Sequence, residues 1–391
     1  MSRLTTLLLL VLLALLPLSA RGQAIKIAID AEFGIPGSTS AQAIHAGAQV
    51  AVGEINAAGG VLGRPLEIVT QDNRGVPARA LNHLRTAAAD PAVVAVMCGK
   101  YSPAVVELLP EIHRLQMPYL DPWAAADPIT DNGYSPNFVF RLSLRDSWAM
   151  QTMMRHAAKG GAKRVALLLA NSDWGRSSLR AAERAARSAN LEIAGIEWYN
   201  FGDQSLQLQY RNLLATEAQA LLLVANEQEG VVLVTELAAL PAARRLPVIA
   251  HWGITAGRFF EATQAALREV DVSVVQTFTF LGKSDPATIR LLAGLRPIIG
   301  HGDARKVASP VGVAHAYDLV HLLARAIVRA GSTERPAIRA ALEQLGPYRG
   351  VTRYFERPFT AARHDALGPE DVFMARFAAD GAIEPLPAGK P

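Results

Sequence analysis

The sequence predicts an α/β fold built from two lobes of comparable size, each with a mainly parallel sheet. Two observations lead to this prediction. Short apolar segments of strand length alternate with segments of helical period, and the alternation restarts after residue 137. Strands that alternate with helices form parallel sheets with helices on both faces. The 391 residues, half of them hydrophobic, supply enough apolar side chains for two such cores.

The first half of the chain contains four predicted strands separated by three predicted helices. Ile25–Asp30 is a short apolar strand, and Ser40–Ala57 follows with Ile44 and other apolar residues on one helical face. Gly59 and Gly60 end that helix. Further strands are predicted at 66–71, 93–98 and 118–121, and further helices at 78–89 and 103–116.

The second half repeats the alternation with more elements. Arg164–Ala170 (RVALLLA) is a continuous apolar run, which is typical of a buried strand. Further strands are predicted at 191–198, 219–225, 246–251, 270–277 and 371–377. Helices are predicted at 176–189, 205–214, 228–240, 286–295, 311–330 and 336–345.

Residues 1–22 have the three parts of a secretory signal peptide. Arg3 supplies the positive end, Leu7–Leu18 the apolar segment, and Ala20 and Gly22 the small residues before a cut that precedes Gln23. A cut after Ala24 is the alternative, with Gly22 and Ala24 as the small residues. The apolar segment is shorter than the about 20 residues that a membrane-spanning helix needs. We therefore expect a soluble protein that is exported to the periplasm. An uncleaved N-terminal anchor is the alternative interpretation.

Charge and motifs argue against several classes of function. The chain has 39 Lys and Arg against 35 Asp and Glu, so we expect no nucleic-acid partner. One cysteine excludes an intrachain disulfide, and the nine histidines show no pair with metal-ligand spacing. The sequence lacks the G-x-x-x-x-G-K-[ST] and G-x-S-x-G patterns, and no G-x-G-x-x-G follows a strand. We therefore expect no metal, no cofactor and no enzymatic activity.

Polar and aromatic residues are concentrated in loops that follow the predicted strands, where open parallel sheets bind ligands. Ser102 before Pro103 is typical of a helix start, with Ser102 as the N-cap residue and free N–H groups that suit a carboxylate. Plain capping and ordinary packing are the alternative interpretations. The scarce aromatic residues that fall in these loops include Tyr101, Trp123, Trp174 and Trp252.

Several motifs spread over residues 25–385 form a combined pattern. The opening segment Ile25–Asp72 contains a strand, a Gly-containing loop and a helix that ends in EINAAGG (54–60). Later motifs are PYLDP (118–122), DWG (173–175) and, near the end, Phe359, RHD (363–365), FM (373–374) and DG (380–381). Together they resemble the type I periplasmic solute-binding proteins of ABC transporters, in particular the leucine/isoleucine/valine-binding group.

This resemblance implies two Rossmann-like lobes joined by three crossovers, with a ligand held between them. Lobe one is then expected at 25–142 plus 277–350, and lobe two at 143–276 plus 351–391. The family also implies hinge closure around the ligand and delivery to an ABC transporter permease at the inner membrane. We expect a monomer.

The resemblance also assigns candidate ligand-binding residues, position by position. In amino-acid-binding relatives, lobe one holds the α-carboxylate with hydroxyl and N–H groups, and lobe two holds the ammonium with an acidic residue. Here the expected acidic position is occupied by Trp252, beside His251, and the hydroxyl expected at Ala125 is missing. The candidate residues are Tyr101, Ser102, Trp123, Ala124 and Ala125 in lobe one, and Trp174, Asn226, Glu227, His251 and Trp252 in lobe two.

These substitutions favour a ligand other than an ordinary branched-chain amino acid, because a buried ammonium without a carboxylate is costly. Glu227 is the one residue at these positions that offers a carboxylate. We therefore expect an amino acid-like compound, or a carboxylate or amide with an apolar or aromatic body. The alternatives are a ligand-sensing receptor module of the same fold in a signalling system, and an exported hydrolase.

Overall fold

Two separate sheets organise the computed structural model, which describes residues 22–387. The predicted signal peptide, 1–22, lies outside the described residues except for Gly22. The central strands of each sheet are apolar runs that are buried on both faces, as expected where helices cover a parallel sheet. The α/β prediction is confirmed, and the buried runs at 93–98 and 164–170 occupy the predicted positions.

The first sheet has five parallel strands in the order β2-β1-β3-β4-β5. Its strands are β1 Ile25–Ala31, β2 Leu66–Asp72, β3 Val93–Cys98, β4 Tyr119–Asp121 and β5 Val139–Arg141. The helices between them are α1 Ser40–Ala57, α2 Pro77–Ala89 and α3 Ser102–Arg114. The carboxyl ends of β1, β3 and β4 therefore lie at one edge, where they lead into loops.

The second sheet has seven strands in the order β14-β13-β10-β9-β8-β6-β7, in which β13 pairs antiparallel with both of its neighbours, β10 and β14. The strands are β6 Arg164–Ala170, β7 Glu192–Tyr199, β8 Ala220–Val224, β9 Val248–Ala250, β10 Val272–Gln276, β13 Phe373–Phe377 and β14 Ile383–Pro385. The helices of this lobe are α4 Asp146–Lys159, α5 Asp173–Ala189, α6 Gln207–Leu214, α7 Glu227–Ala238 and α8 Phe259–Thr263.

The chain returns to the first lobe after β10. The three helices there are α9 Pro286–Ile299, α10 Pro310–Ala330 and α11 Arg335–Leu342, and a small ladder pairs β11 Tyr348–Arg349 with β12 Tyr354–Phe355. Helix α10 packs along α1 so closely that a Cβ atom at Gly47 would lie 2.1 Å from the carbonyl oxygen of Val313. By length and composition α10 is apolar enough to span a membrane, but 83% of its most apolar window is buried, as in a core helix.

Three crossovers connect the lobes, and an ion-pair network links two of these crossovers. Arg141, at the end of β5, lies with Nε 2.5 Å from Oδ1 of Asp365, and Arg145 reaches Oδ2 of the same carboxylate at 3.2 Å. Both arginines lower the pKa of Asp365 against the opposing effect of burial. The connectivity thus agrees with two lobes and three crossovers, while the exact boundaries given above stay predictions.

Two elements next to the first crossover, β5 and helix α4, were not predicted from the sequence. Helix α5 also begins earlier than predicted, at Asp173 rather than 176, because Ser172 Oγ accepts a hydrogen bond from the N–H of Gly175 at 3.4 Å. As a result, Trp174 lies in the first turn of a helix and not in the preceding loop.

Candidate ligand-binding cleft

Loops from the carboxyl ends of both sheets meet between the lobes and form the candidate site, here called the cleft. The first-lobe wall comes from the loops after β1, β3 and β4, and the second-lobe wall from those after β6, β8 and β9. The ten residues predicted as ligand-binding all lie in these loops or in the helical turns that follow them. Nine are buried and Tyr101 is half-buried.

Ser102 holds two loops of the first-lobe wall together. Its Oγ accepts hydrogen bonds from the N–H groups of Ala125 at 3.1 Å and Ala126 at 3.2 Å. The prediction that Ser102 caps α3 is wrong, because α3 begins at Ser102 and its N-cap residue is Tyr101, without a side-chain cap. The hydroxyl instead satisfies two buried backbone donors, which need an acceptor inside the protein.

Two tryptophans meet across the cleft. The ring centroids of Trp123 in the first lobe and Trp252 in the second are 5.4 Å apart, with their planes inclined by 41°. Trp252 also lies 6.0 Å from the ring of His315 on α10, and both indoles are about 1% exposed. Gly312 makes room for Trp123, since a Cβ atom there would lie 2.9 Å from its ring. The apolar part of the cleft is therefore built by both lobes.

A polar cluster lies beside these rings on the second-lobe wall. The Nε1–H of Trp174 donates to Oδ1 of Asp146 at 3.1 Å, and Nε2 of His251 lies 3.2 Å from the same oxygen at an angle outside hydrogen-bond geometry. Oδ2 of Asp146 and Nδ1 of His251 are buried and have no hydrogen-bond partner among the described residues. Burial raises the pKa of Asp146.

Unpartnered buried polar atoms are rare in proteins, and they mark positions where a water molecule or a ligand completes the hydrogen bonds. Asp146 offers an acceptor, and the His251 ring can offer a donor or an acceptor according to its tautomer. The cluster can therefore bind a group that carries both kinds of atom.

Lys100 and Glu227 join the two lobes through a buried ion pair. The Nζ atom of Lys100 lies 2.6 Å from Oε1 and 2.7 Å from Oε2 of Glu227, and it donates to Oγ of Ser38 at 2.9 Å. The side chains of Lys100 and Glu227 are 1% and 4% exposed. The carboxylate that the sequence offered for a ligand ammonium is thus already in contact with a cation.

Two further glutamates surround this pair. Glu32 accepts from the backbone N–H of Lys100 at 3.2 Å and from the hydroxyl of Ser40, and Glu229 accepts from the N–H of Gly202 at 2.8 Å. Burial raises the pKa of both carboxyl groups. Oε2 of Glu229 has no hydrogen-bond partner among residues 22–387.

Backbone contacts hold the walls together next to the ion pair. The carbonyl oxygen of Ala256 accepts from the N–H groups of Thr39 at 2.7 Å and Ser40 at 3.1 Å, which are orphan donors at the start of α1. Gly257 lies so close to the opposite lobe that a Cβ atom would be 2.4 Å from the carbonyl oxygen of Gly37.

A second ion-pair group between the lobes is exposed. Arg305 contacts Asp380 at 2.6 Å and Glu384 at 3.0 Å, and the side chains of Arg305 and Asp380 are 44% and 49% exposed. A cavity of about 210 Å³ beside it is lined by residues that include Thr255 and Ser309. It is smaller than the roughly 300–1,000 Å³ of ordinary small-molecule sites.

Several polar residues of the cleft were not predicted from the sequence, among them Glu32, Ser38, Lys100, Asp146 and Glu229. Lys100 stands between the strand-end Cys98 and Tyr101, in a loop that the sequence did single out. Asp146 opens a helix that was not predicted. The remaining prediction concerns metals, and no group of His, Cys, Asp and Glu suited to a metal ion occurs in the part of the chain that the structure describes.

Comparison with known proteins gives a family and a set of structural neighbours. A family model described as periplasmic binding protein matches residues 24–382. A search of curated proteins finds no match.

Three solved structures illustrate the likeness. A type 1 periplasmic binding protein of Bordetella pertussis Tohama I superposes with a TM-score of 0.83 at 20% identity, covering 93% of this chain and 100% of the other. A branched-chain amino acid transporter substrate-binding protein of Streptococcus pneumoniae, in complex with isoleucine, gives 0.76 at 22% identity, with 93% and 99% covered. An ABC transporter solute-binding protein of R. palustris, in complex with 4-hydroxybenzoate, gives 0.77 at 15% identity, with 93% and 95% covered. Identities this low show the shared fold alone.

Proposed function

The chain belongs to the periplasmic binding protein family, and from this premise we propose that it is the substrate-binding protein of an ABC transporter. It is exported to the periplasm, encloses a small organic ligand in the cleft and delivers it to a permease in the inner membrane. It acts as a carrier and not as an enzyme, as members of this family bind substrates.

The observation that carries the proposal is the composition of the cleft, in which two lobes contribute facing indoles and the second lobe leaves buried polar atoms unpartnered. Trp123 and Trp252 suit an apolar or planar body. Oδ2 of Asp146 and Nδ1 of His251 suit a polar end next to it. A carboxylic acid or an amide has a polar end of this kind.

The ligands of structural neighbours span the same chemistry. Proteins of this fold have been solved with isoleucine, with 4-hydroxybenzoate and with benzoate. The latter two combine a planar body with a carboxylate and lack an ammonium group. We propose a ligand of this general type, with a carboxylate or amide end and an apolar or aromatic body.

A thermal-shift screen of the mature protein tests the proposal. The compounds are branched-chain and aromatic amino acids, benzoate, 4-hydroxybenzoate and short amides, each at millimolar concentration. A ligand at 100 times its dissociation constant adds about 2.7 kcal/mol to the free energy of unfolding, so a cognate compound raises the melting temperature. Trp252→Ala is the control, and it should lose that response.

The absence of any stabilising compound across these classes would contradict the proposal. A compound that stabilises the wild type and Trp252→Ala equally would contradict the location of the site.

A further inference from the structure

The contact between Lys100 and Glu227 has the geometry of a complete binding site for an ammonium group. An ammonium has three N–H donors. At Lys100 all three have acceptors, namely both carboxylate oxygens of Glu227 and the hydroxyl of Ser38, at 2.6, 2.7 and 2.9 Å. The acceptors come from both lobes, so this arrangement forms only where the lobes meet.

The Nζ atom of Lys100 contacts the carboxylate of Glu227 and not those of the neighbouring Glu32 and Glu229. Burial of a carboxylate or an ammonium is strongly unfavourable unless each has a partner. The neighbouring Glu32 is held by Ser40 and by the backbone N–H of Lys100, and Glu229 is held by the N–H of Gly202. Both oxygens of Glu227 are in contact with Nζ of Lys100, so a ligand ammonium at this carboxylate would lie next to the Lys100 cation and be repelled by it, or would have to displace it.

We infer that Lys100 is a built-in ammonium group that occupies Glu227, so that the cleft selects ligands without an ammonium of their own. The preferred class is then carboxylic acids or amides with an apolar or aromatic body, in preference to the amino acids of the same carbon skeleton. Asp146, another acidic residue of the cleft, has a basic neighbour of its own, His251 at 3.2 Å. This inference rests on the proposed function and specifies its ligand class.

Chemical rescue tests the role of Lys100 without knowledge of the ligand. Lys100→Ala retains Cβ and removes Cγ, Cδ, Cε and the ammonium. The removed part has the size of propylammonium. Propylammonium should enter the open cleft, bind Glu227 and raise the melting temperature of Lys100→Ala by at least about 2 °C at 100 mM over tetramethylammonium at equal ionic strength. Propan-1-ol, which has the same shape without the charge, should have a smaller effect.

Three control proteins make the rescue specific. The wild type should respond equally to both cations, because its site is filled. The double variant Lys100→Ala/Glu227→Gln should also respond equally, because the carboxylate is gone. Lys26→Ala removes a lysine that pairs with Asp90 at 2.9 Å outside the cleft, and it should show no selective response.

If Lys100→Ala does not accumulate in a folded form, its refolding yield in each cation is the readout, and propylammonium should raise that yield selectively. Equal effects of propylammonium and tetramethylammonium on Lys100→Ala would overturn the inference, whatever the ligand screen finds.

Matched ligand pairs test the consequence for specificity. We expect 3-phenylpropanoate to bind at least tenfold more tightly than phenylalanine, or 4-methylpentanoate than leucine, in calorimetric titrations of the wild type. Lys100→Ala should reduce or reverse this preference for the acid over the amino acid, because Glu227 becomes free for the ligand ammonium. Tenfold tighter binding of the amino acid by the wild type would overturn the inference and leave the proposed function intact. If neither member of either pair binds, the rescue experiment decides.

Discussion

The two walls of the cleft differ in how their polar groups are used. On the first-lobe wall, the hydroxyl of Ser102 accepts hydrogen bonds from two backbone N–H groups. Glu32 accepts from the N–H of Lys100, and the Lys100 ammonium has an acceptor for each of its N–H groups. On the second-lobe wall, Asp146, His251 and Glu229 each leave a buried atom without a partner. These groups of the first-lobe wall are thus already bonded within the protein, and the second-lobe wall holds the unpartnered atoms that a ligand can use.

Asp121 is an exception on the first-lobe side. Its Oδ1 accepts from the N–H of Trp123 at 2.9 Å, but its Oδ2 has no partner among the described residues. It is the last residue of β4, and its Oδ1 also accepts from the thiol of Cys98 at 3.4 Å, so its observed hydrogen bonds are within the first lobe.

The largest effect is expected where the walls share a buried charge pair. Glu227→Gln keeps the shape of the side chain and leaves the Lys100 ammonium buried without its carboxylate, which should cost about 3–5 kcal/mol in the free energy of unfolding. The matched control is Arg305→Gln at the exposed pair between the lobes, which should cost much less because solvent screens that pair. Denaturant unfolding measures both, and losses of equal size would show that the buried pair is not special.

A smaller effect is expected on ligand affinity from the aromatic contact. Trp252→Ala should weaken binding of the compound found in the screen by about 30-fold, or about 2 kcal/mol, because the indole forms the apolar surface of the second wall. The protein should remain folded. Trp198→Ala, in the same lobe on β7, is the control and should keep its affinity; an equal loss there would assign the effect to lobe stability.

The third prediction separates the walls directly. Asp146→Asn should lower ligand affinity about tenfold, or by about 1.4 kcal/mol, because it alters the unpartnered acceptor of the second wall. Ser102→Ala should act on stability instead, since it strands the N–H groups of Ala125 and Ala126, and should change affinity less. Calorimetric titration measures the affinity of both variants, and denaturant unfolding measures their stability. A larger loss of affinity in Ser102→Ala than in Asp146→Asn would contradict the difference between the walls.

The last prediction concerns pH and the exception, Asp121. Burial raises the pKa of this carboxyl from 3.8 to about 7. A folded-state pKa above the unfolded value means that the folded protein binds the extra proton, so stability falls as pH rises from about 4 to about 7. Buried His315, whose pKa burial lowers to about 4, has the opposite effect in part of that range.

The difference between wild type and Asp121→Asn isolates the carboxyl group. The variant should gain stability relative to the wild type as pH rises through this range in thermal unfolding, and a constant difference would contradict the role of burial.

Much of the fold could be predicted from the sequence because its strands are continuous apolar runs. β3 and β6 were predicted at their observed bounds, since full burial on both faces removes polar residues from the run. Helix α4 was missed, although its sequence DSWAMQTMMRHAAK contains regularly spaced methionines. Its first residue, Asp146, follows a short crossover without a Gly or Pro signal.

The loops of the site could be predicted, but the pairings within it could not. Lys100 and Glu227 are 127 positions apart, and a lysine in a loop is ordinarily solvated, so no local pattern indicates that they meet. Ser102 shows the same limit, because the Ser-Pro pattern predicts a cap and the tertiary contact with Ala125 determines the actual bond.

The central claim is that the cleft captures a small organic ligand without an ammonium group. Mass spectrometry of compounds released from the purified, denatured wild type, beside the same extract of Trp252→Ala, tests it most directly. We predict a carboxylic acid or amide without a free amine that is enriched in the wild-type extract. Identical extracts from the two proteins, or enrichment of an α-amino acid in the wild type, would contradict it.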